Sequence, residues 1–249
     1  METPIGSPWQ IFRLESVPST NSYVSERLPE LDNLSVVTAR CQSDGRGQRG
    51  NHWLAEPGQN LTFSVLLKFP EGRLEARQQM RLTALATVSL RDCLREDYGI
   101  PAVIKWPNDI YVHDRKISGM LIENGLSGRW ITHSILGIGL NVNQTGWDPS
   151  LLNPTAMRRI TGLSYDLDDV LGHFLDRLRL LLPELTEESL WQRYTADLYR
   201  LGERHAWSDA DGQHFYGTIK GVRKDGRLEI LCDDGFLRLF AFKEIQYVL

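Results

Sequence analysis

Four strand-like runs follow one another in the stretch AVIKWPNDIYVHDRKISGMLIENGLSGRWITHSILGIGLN, residues 102–141. The runs are Ala102–Trp106, Asp109–Val112, Lys116–Glu123 and Ile131–Asn141. Short polar or glycine-containing segments separate them, as is typical of hairpin turns. The stretch therefore predicts an antiparallel meander at the centre of an α+β fold with a mixed or antiparallel sheet.

Further strands and helices are predicted on both sides of this meander. Alternating or β-branched residues predict strands at Gln10–Glu15, Leu34–Cys41 and Asn60–Phe69. Apolar residues at helical spacing predict helices at Tyr23–Leu28, Leu74–Tyr98, Asp168–Leu182 and Glu187–Tyr199. We expect the long helix in the middle of the chain to pack on the sheet.

The sequence pattern changes to short strand-like runs separated by turns after Gly202. Asp-Gly turns separate three short runs, Phe215–Val222, Arg227–Leu231 and Phe236–Phe242. These runs predict a small β-barrel. We therefore expect two domains, a large one over residues 1–202 and a small one over residues 203–249.

The composition excludes several classes of protein. Of the 249 residues, 41% are hydrophobic and 24% are charged, close to the average for soluble globular proteins. The formal net charge is −4, whereas proteins that mainly bind nucleic acid are usually basic. Met1–Trp9 lacks the features of a signal peptide, and no stretch resembles a membrane helix. We expect a cytoplasmic protein that binds neither DNA nor membranes.

The cysteines give no sign of a metal site. Cys41, Cys93 and Cys232 are far apart and have no second cysteine or histidine at metal-ligand spacing. We expect all three to be reduced thiols in the core.

A glycine-rich loop, GRGQRGNHW, spans Gly45–Trp53. Its glycines allow the backbone to approach a ligand closely, and Arg46 and Arg49 offer planar sets of donors that suit phosphate or carboxylate. The Gly-Lys-Ser/Thr sequence of a P-loop is missing. The pattern indicates an anion site, although a solvated loop with two surface arginines would have the same sequence.

The segment KWPNDIYVHDRKISG, Lys105–Gly119, is the second candidate. A hairpin would bring Lys116 back towards Lys105, Asn108 and Asp109, and Gly119 would leave room for close approach. Lysines at hairpin ends are also common as solvated charges that protect a sheet edge. A third segment, GIGLNVNQ, ends a predicted strand with Asn141 and Asn143, whose amides either read a base edge or cap a turn.

Taken together, five motifs resemble those of the biotin protein ligases. They are PSTN at Pro18–Asn21, GRGQRG followed by Trp53, KWPND, RKISG and GIGLNVN, and the resemblance covers about Leu14 to Asn143. The resemblance implies a catalytic domain like that of class II aminoacyl-tRNA synthetases and an SH3-like C-terminal domain. It also implies a two-step reaction that makes biotinyl-5′-AMP from biotin and Mg·ATP and then transfers biotin to one lysine of a biotin carboxyl carrier protein.

The resemblance also implies roles for individual residues. Lys116, Arg46 and Asp109 would be catalytic, with Asp109 helping the incoming lysine to lose its proton. The biotin-binding set would be Ser19, Thr20, Asn21, Gln42, Arg46, Gly47, Gln48, Trp53, Lys116 and Gly119. The ATP-binding set would be Arg49, Lys105, Asn108, Asp109 and Asn141. Mg²⁺ would be held mainly by the ATP phosphates, with Asp109 as a further ligand.

Two features of this sequence differ from the best-known biotin protein ligases, and each leads to a further expectation. Gln48 replaces the central arginine of GRGRRG, so we expect biotinyl-AMP to escape more readily. About 18 residues precede the PSTN segment, too few for a helix-turn-helix domain, so we expect no operator binding. The sequence leaves the oligomeric state open, and a homodimer is compatible with it.

Two other functions are compatible with parts of the sequence. A lipoate- or octanoyl-protein ligase would have a similar architecture and a lysine, but the Arg-Gly-Gly-Gly type of run is missing. A nucleic-acid-binding module would explain an Arg-Gly loop near Trp53 and a terminal β-barrel, but the acidic balance argues against it.

Overall fold

The computed structural model describes residues 8–149, 151 and 153–248, with the side chain of Arg49 outside the described part. A seven-stranded sheet has the order β1-β2-β3-β7-β6-β5-β4. Its strands are β1 (Gln10–Val17), β2 (Ser35–Gln42), β3 (Leu61–Lys68), β4 (Ala102–Lys105), β5 (Asp109–Val112), β6 (Arg115–Ser127) and β7 (Trp130–Leu140). Strands β1 and β2 are parallel, and all other neighbours are antiparallel. The sheet is mixed, as predicted, and β4 to β7 form the predicted meander.

Five α-helices accompany the sheet within the described ranges. They are α1 (Thr20–Glu26), α2 (Met80–Asp92), α3 (Met157–Thr161), α4 (Leu167–Leu181) and α5 (Glu188–Ala196). Because successive side chains of a strand point to opposite faces of the sheet, β3 contributes side chains to both faces. Leu66 packs with Val24 of α1, whereas Val65 and Leu67 belong to the larger cluster that contains Leu85 of α2. Helix α1 therefore covers one face, and α2 covers the other together with α4 and α5.

A second, five-stranded antiparallel sheet follows, with the order β11-β10-β9-β8-β12. Its strands are β8 (Arg204–Asp209), β9 (His214–Val222), β10 (Leu228–Cys232), β11 (Leu237–Phe240) and β12 (Ile245–Tyr247). The sheet confirms the predicted β-rich tail. The predicted domain boundary between residues 202 and 203 stays a prediction.

The predicted helix Leu74–Tyr98 is wrong at its beginning. Leu74 and Glu75 run alongside β7, where Ile131 donates its N–H to the Leu74 carbonyl at 2.8 Å. A 3-10 turn, Ala76–Gln78, precedes α2, and one π-helical turn, Cys93–Asp97, extends it. Pairing with the beginning of β7 thus outweighs the local helical preference of the first residues.

Other differences lie in the turns and in the tail. Strand β6 continues through Gly125 instead of ending at Glu123, because it stays paired with β7 as far as Ser127, and the glycine leaves room for the ring of His133. A Cβ on Gly125 would lie 1.9 Å from His133 Cε1. Helix α3 and strands β8 and β12 were not predicted.

The three cysteines are free thiols. Cys93 and Cys232 are buried as predicted, and burial raises the pKa of the Cys93 thiol to about 12. The prediction of a core position is wrong for Cys41, which is half-buried because it pairs only with Ser16 of β1, beyond Ala39, where the pairing of β2 with β3 ends.

Candidate active site

The largest group of predicted site residues lines one cleft on the α1 face of the sheet. The cleft has a volume of about 840 Å³, including its open mouth. The predicted residues in its wall are Ser19, Thr20, Asn21, Gln42, Arg46, Gly47, Gln48, Trp53, Lys105, Asn108, Asp109, Lys116 and Gly119. Residues separated by up to 100 positions in the sequence therefore meet in one place.

Two glycines of β7 make room at the floor of the cleft. A Cβ on Gly137 would lie 2.2 Å from Asn21 Oδ1, and one on Gly139 would lie 2.2 Å from Trp53 Cε2. Because the two positions are two residues apart on a strand, they face the same side. The sheet backbone is thus in direct contact with the side chains that cover it.

The glycine-rich segment Gly45–Trp53, here called the lid loop, folds back on itself over this floor. Trp53 donates its N–H to the Gly45 carbonyl at 2.8 Å, and Gly47 donates to the Asn51 carbonyl at 2.7 Å. A Cβ on Gly45 would lie 2.3 Å from the Trp53 carbonyl oxygen, so this close approach requires glycine. The loop places Trp53 as one wall of the cleft, as predicted.

The polar end of the cleft forms where α1 begins. Ser19 and Thr20 are buried, and Gln42 Oε1 accepts hydrogen bonds from the Thr20 N–H at 2.8 Å and from Thr20 Oγ1 at 3.1 Å. Because its oxygen is occupied, Gln42 can offer its amide N–H groups to a ligand.

Asn21 is held by protein groups on all sides. Its Nδ2 donates to the Leu121 carbonyl at 3.1 Å and to Glu123 Oε2 at 2.8 Å, and its Oδ1 accepts from Ser64 Oγ at 2.6 Å. The side chain lies in the cleft wall, where the sequence predicted it, but its donors are already used.

Arg46 forms an ion pair that the sequence did not reveal. Its Nη2 lies 2.5 Å from Glu123 Oε1, and its Nη1 lies 3.2 Å from Ser22 Oγ. The two charged side chains are 41% and 34% exposed. The guanidinium is therefore neutralised at the rim of the cleft.

Lys116 and Asp109 form a second ion pair in the cleft. Lys116 Nζ lies 2.7 Å from Asp109 Oδ1. A Cβ on Gly119 would lie 2.9 Å from the Lys116 ammonium, so the absence of a side chain at Gly119 lets the lysine cross the sheet surface. The predicted proximity of these three residues is confirmed.

Lys105 is the most strongly desolvated cation of the cleft. Its ammonium donates to the Tyr111 hydroxyl at 3.2 Å and lies 4.7 Å from the ring centroid of Tyr111 and 4.8 Å from that of Tyr247. Burial lowers the pKa of Lys105, while the negative charge of Asp109 opposes that shift. Nearby, the buried Asn108 donates to the Met120 carbonyl.

Asn141 lies outside this cleft but lines a neighbouring cavity. That cavity, about 530 Å³ in volume including its open mouth, is also bordered by Trp53, Lys116 and Trp147. Asn141 Nδ2 donates to the Thr155 carbonyl at 3.0 Å, and its buried Oδ1 has no hydrogen-bond partner among the described residues. Lys116 borders both cavities. The predicted role of Arg49 depends on a side chain outside the described part of the structure.

Several lining or supporting residues were not predicted. They are Ser64, Glu123, Gly137, Gly139, Trp147 and Phe242. The two glycines could have been predicted from the sequence, since Gly-x-Gly inside an apolar strand indicates that another group approaches the strand backbone closely. Phe242 follows β11 of the second sheet, and no local pattern indicates that it reaches a cleft in the first.

The described residues contain no group of three or more His, Cys, Asp or Glu side chains that could hold a metal ion. Asp109 is the carboxylate nearest to Lys116 and could add one ligand to a cation held by phosphate oxygens, which is how Mg²⁺ commonly binds. Among the described helices, none has both the length and the apolar character to cross a membrane.

Comparisons with known proteins agree with this geometry. A model of the biotin/lipoate A/B protein ligase family matches residues 13–141. The biotin–acetyl-CoA-carboxylase ligase of Paracoccus denitrificans is 32% identical over 201 residues, which cover 78% of this chain and 78% of that protein. The bifunctional ligase/repressor BirA of Escherichia coli K12 is 27% identical over 241 residues, 94% of this chain and 72% of that protein.

A solved structure gives the same result for the fold. The biotin protein ligase from Aquifex aeolicus in complex with biotin and ATP has a TM-score of 0.78 and 28% identity, and the match covers 95% of this chain and 97% of that chain. The chain therefore belongs to the biotin/lipoate A/B protein ligase family, and within it to the biotin protein ligases.

Proposed function

We propose that this protein activates biotin with ATP and transfers it to a lysine of a biotin carboxyl carrier protein. The position of Lys116 carries the proposal. Lys116 borders both the polar cleft and the cavity with two tryptophans, so its ammonium can serve where a carboxylate from one and a phosphate from the other would meet.

The polar end of the cleft suits the ureido ring of biotin. That ring has a carbonyl acceptor and two N–H donors, and Ser19, Thr20 and Gln42 supply hydroxyls and an amide in fixed positions. Gly137 and Gly139 let Asn21 and Trp53 lie directly on the sheet, so Trp53 can form an apolar wall for the bicyclic part. Asn21 then acts by holding its neighbours in place, since its own donors are engaged.

The neighbouring cavity suits the adenine of ATP. Trp53 and Trp147 offer aromatic faces, and the unpaired Asn141 Oδ1 can accept from the adenine amino group. Lys105, Asn108 and Arg49 would lie towards the phosphates, and Mg²⁺ bound to those phosphates would add positive charge there.

In the first step a biotin carboxylate oxygen attacks the α-phosphorus, and pyrophosphate leaves. Both groups are anionic, and two unit charges about 4 Å apart repel by about 4 kcal/mol at an effective dielectric constant of about 20. Lys116 can offset this repulsion by releasing Asp109 and binding the reacting oxygens, as positively charged groups do in other phosphoryl and acyl transfers.

In the second step the lysine amine of the carrier attacks the acyl carbon, the carbon–oxygen bond to phosphate breaks and AMP leaves. The amine must lose a proton, and the Asp109 carboxylate is the acceptor we propose.

We further propose that residues 1–202 form the catalytic domain and that residues 203–249 form an SH3-like domain. We also propose that the enzyme works in the cytoplasm, where its nucleotide is abundant.

Mass spectrometry of a carrier domain tests the proposal. The domain is incubated with this protein, ATP and Mg²⁺ and with biotin, lipoate or octanoate in separate reactions. We expect one biotin on one lysine, dependent on ATP and lost in Lys116→Ala. Modification by lipoate or octanoate instead of biotin would assign the chain to the other ligases of the family, and no modification by any acid would contradict the proposal.

A further inference from the structure

Glu123 is a charged residue of the cleft rim that the proposed reaction does not use. Both of its carboxylate oxygens are engaged, Oε1 with Arg46 of the lid loop at 2.5 Å and Oε2 with Asn21 of α1 at 2.8 Å. One carboxylate on β6 thus connects the lid loop with the helix that begins the polar end of the cleft.

A series of hydrogen bonds continues from Asn21 into the cleft. Asn21 Oδ1 accepts from Ser64 Oγ at 2.6 Å, Ser64 Oγ lies 2.7 Å from Thr20 Oγ1, and Thr20 bonds to Gln42. Asn21 and Ser64 are buried. Because buried polar groups of this kind are costly to leave without partners, the arrangement is fixed.

We propose that Glu123 is a positioning residue that anchors the lid loop over the bound acid through Arg46. The anchor rests on the proposed function, because Asn21 and Ser64 link it to the side chains that we assign to the ureido ring. Arg46 accordingly serves as the attachment point of the lid loop, and the described cations that we assign to the phosphates are Lys116 and Lys105.

The geometry around Arg46 favours an anchor over a phosphate ligand. Its guanidinium is bound from two elements at once, by Ser22 on α1 and by Glu123 on β6. The two backbone bonds near it, from Gly47 to Asn51 and from Trp53 to Gly45, stay within the lid loop. Arg46 is therefore a contact that ties the loop to the rest of the cleft. Since the pair is partly exposed, its loss should change loop opening several-fold and leave the fold intact.

Limited trypsin digestion of the full chain without ligand tests the anchor, because the lid loop carries a cleavage site after Arg49. Glu123→Gln keeps the size of the side chain and removes its charge. We expect cleavage after Arg49 to become about fivefold faster, since cleavage rates follow the population of the open form. The control is Glu15→Gln, which breaks an exposed 2.8 Å pair with Arg40 and should leave this rate unchanged.

A double-mutant cycle identifies the partner. Arg46→Gln should accelerate the same cleavage, and the double variant should be no faster than Arg46→Gln alone, because each single variant already removes the shared ion pair. Additive effects, or an unchanged rate in Glu123→Gln, would overturn the proposal. If Glu123→Gln fails to fold, Arg46→Gln decides, and an unchanged rate there overturns it equally.

Kinetics and ligand protection separate this proposal from the proposed function. In Glu123→Gln the KM for biotin should rise about fivefold while kcat stays within about twofold, as expected for lost binding without lost chemistry. Biotin should slow cleavage of the parent chain. Failure of biotin to protect the parent would count against biotin binding itself, whereas protection of the parent with no effect of Glu123→Gln would reject the anchor alone.

Discussion

At the scale of single residues, the ion pair formed by Lys116 and Asp109 is the one on which the proposed reaction depends. We expect Asp109→Asn to slow biotin transfer from preformed biotinyl-AMP about 100-fold, the usual range for loss of a general base. Adenylate formation should fall less, because Lys116 keeps its charge. Single-turnover transfer and pyrophosphate exchange measure the two steps separately.

The matched control is Asp168→Asn, which breaks an exposed 3.2 Å pair with Arg13 and should alter neither step. An equal loss in both steps of Asp109→Asn would show that the carboxylate positions Lys116 and does not accept the proton.

Gln48 is the second residue with a measurable consequence. Its buried Oε1 has no hydrogen-bond partner in the described part of the chain, and the resemblance indicates an arginine there in the best-known ligases. We expect Gln48→Arg to reduce labelling of bystander lysines about tenfold, because a hydrogen bond to a charged group stabilises by about 1.5 to 3 kcal/mol. Gln192→Arg adds the same charge on the exposed side of α5, and a similar reduction there would refute a specific contact.

Lys105 gives a pH-dependent prediction. Because burial lowers its folded-state pKa, the cost of the buried ammonium is fully present below that pKa and disappears as pH rises towards the ordinary value. We expect Lys105→Met to raise Tm at pH 7 by about 2 to 4 °C, which corresponds to about 1 kcal/mol in a chain of this size. The increase in Tm should become smaller near pH 10. An increase in Tm that is constant with pH would exclude titration of Lys105 as its cause.

At this scale the sequence predicted which side chains line the cleft but not what holds them. Lys116, Asp109 and Gly119 lie within one hairpin, so their proximity follows from local pairing. Glu123 and Arg46 lie 77 positions apart, and a half-exposed glutamate on a strand has no local feature that distinguishes it from a solvated one.

At the scale of elements, strand β7 determines the shape of the cleft through its two glycines. We expect Gly139→Ala to weaken biotin binding at least about tenfold, because the methyl group would lie 2.2 Å from the Trp53 ring and the lid loop would have to move. Calorimetric titration with biotin measures the effect.

Gly172→Ala is the control for the same substitution in open space. It lies within α4 with nothing near the added Cβ, so it should stabilise the fold by about 0.5 to 1 kcal/mol and leave biotin binding unchanged. Unaltered binding in Gly139→Ala would mean that Trp53 is free to shift.

The strands were predicted better than the ends of the long helix. Nearly continuous runs of apolar residues indicate β3 and β7 directly, since each strand is packed on both faces. The beginning of α2 depends on pairing between Leu74 and Ile131, which is a contact between distant segments, so periodicity could not reveal it.

At the scale of the whole molecule, the two sheets share one core. Trp207, Ile219 and Leu228 of the second sheet belong to the same buried cluster as Leu85 of α2, and Trp106 Nε1 donates to the Gly226 carbonyl at 2.9 Å. We expect a single unfolding transition in urea, with coincident midpoints by circular dichroism and tryptophan fluorescence. Two separate transitions would contradict a shared core.

The positions of Phe242 and Tyr247 in the sequence determine when the cleft can be completed during synthesis. Phe242 lines the cleft, and Tyr247 packs against Lys105, so the cleft joins residues from Ser19 near the beginning of the chain to Tyr247 near its end. A nascent chain on the ribosome cannot complete this wall until Phe242 and Tyr247 have emerged. Translation products that stop before these residues should therefore lack part of the cleft and bind its ligands less well.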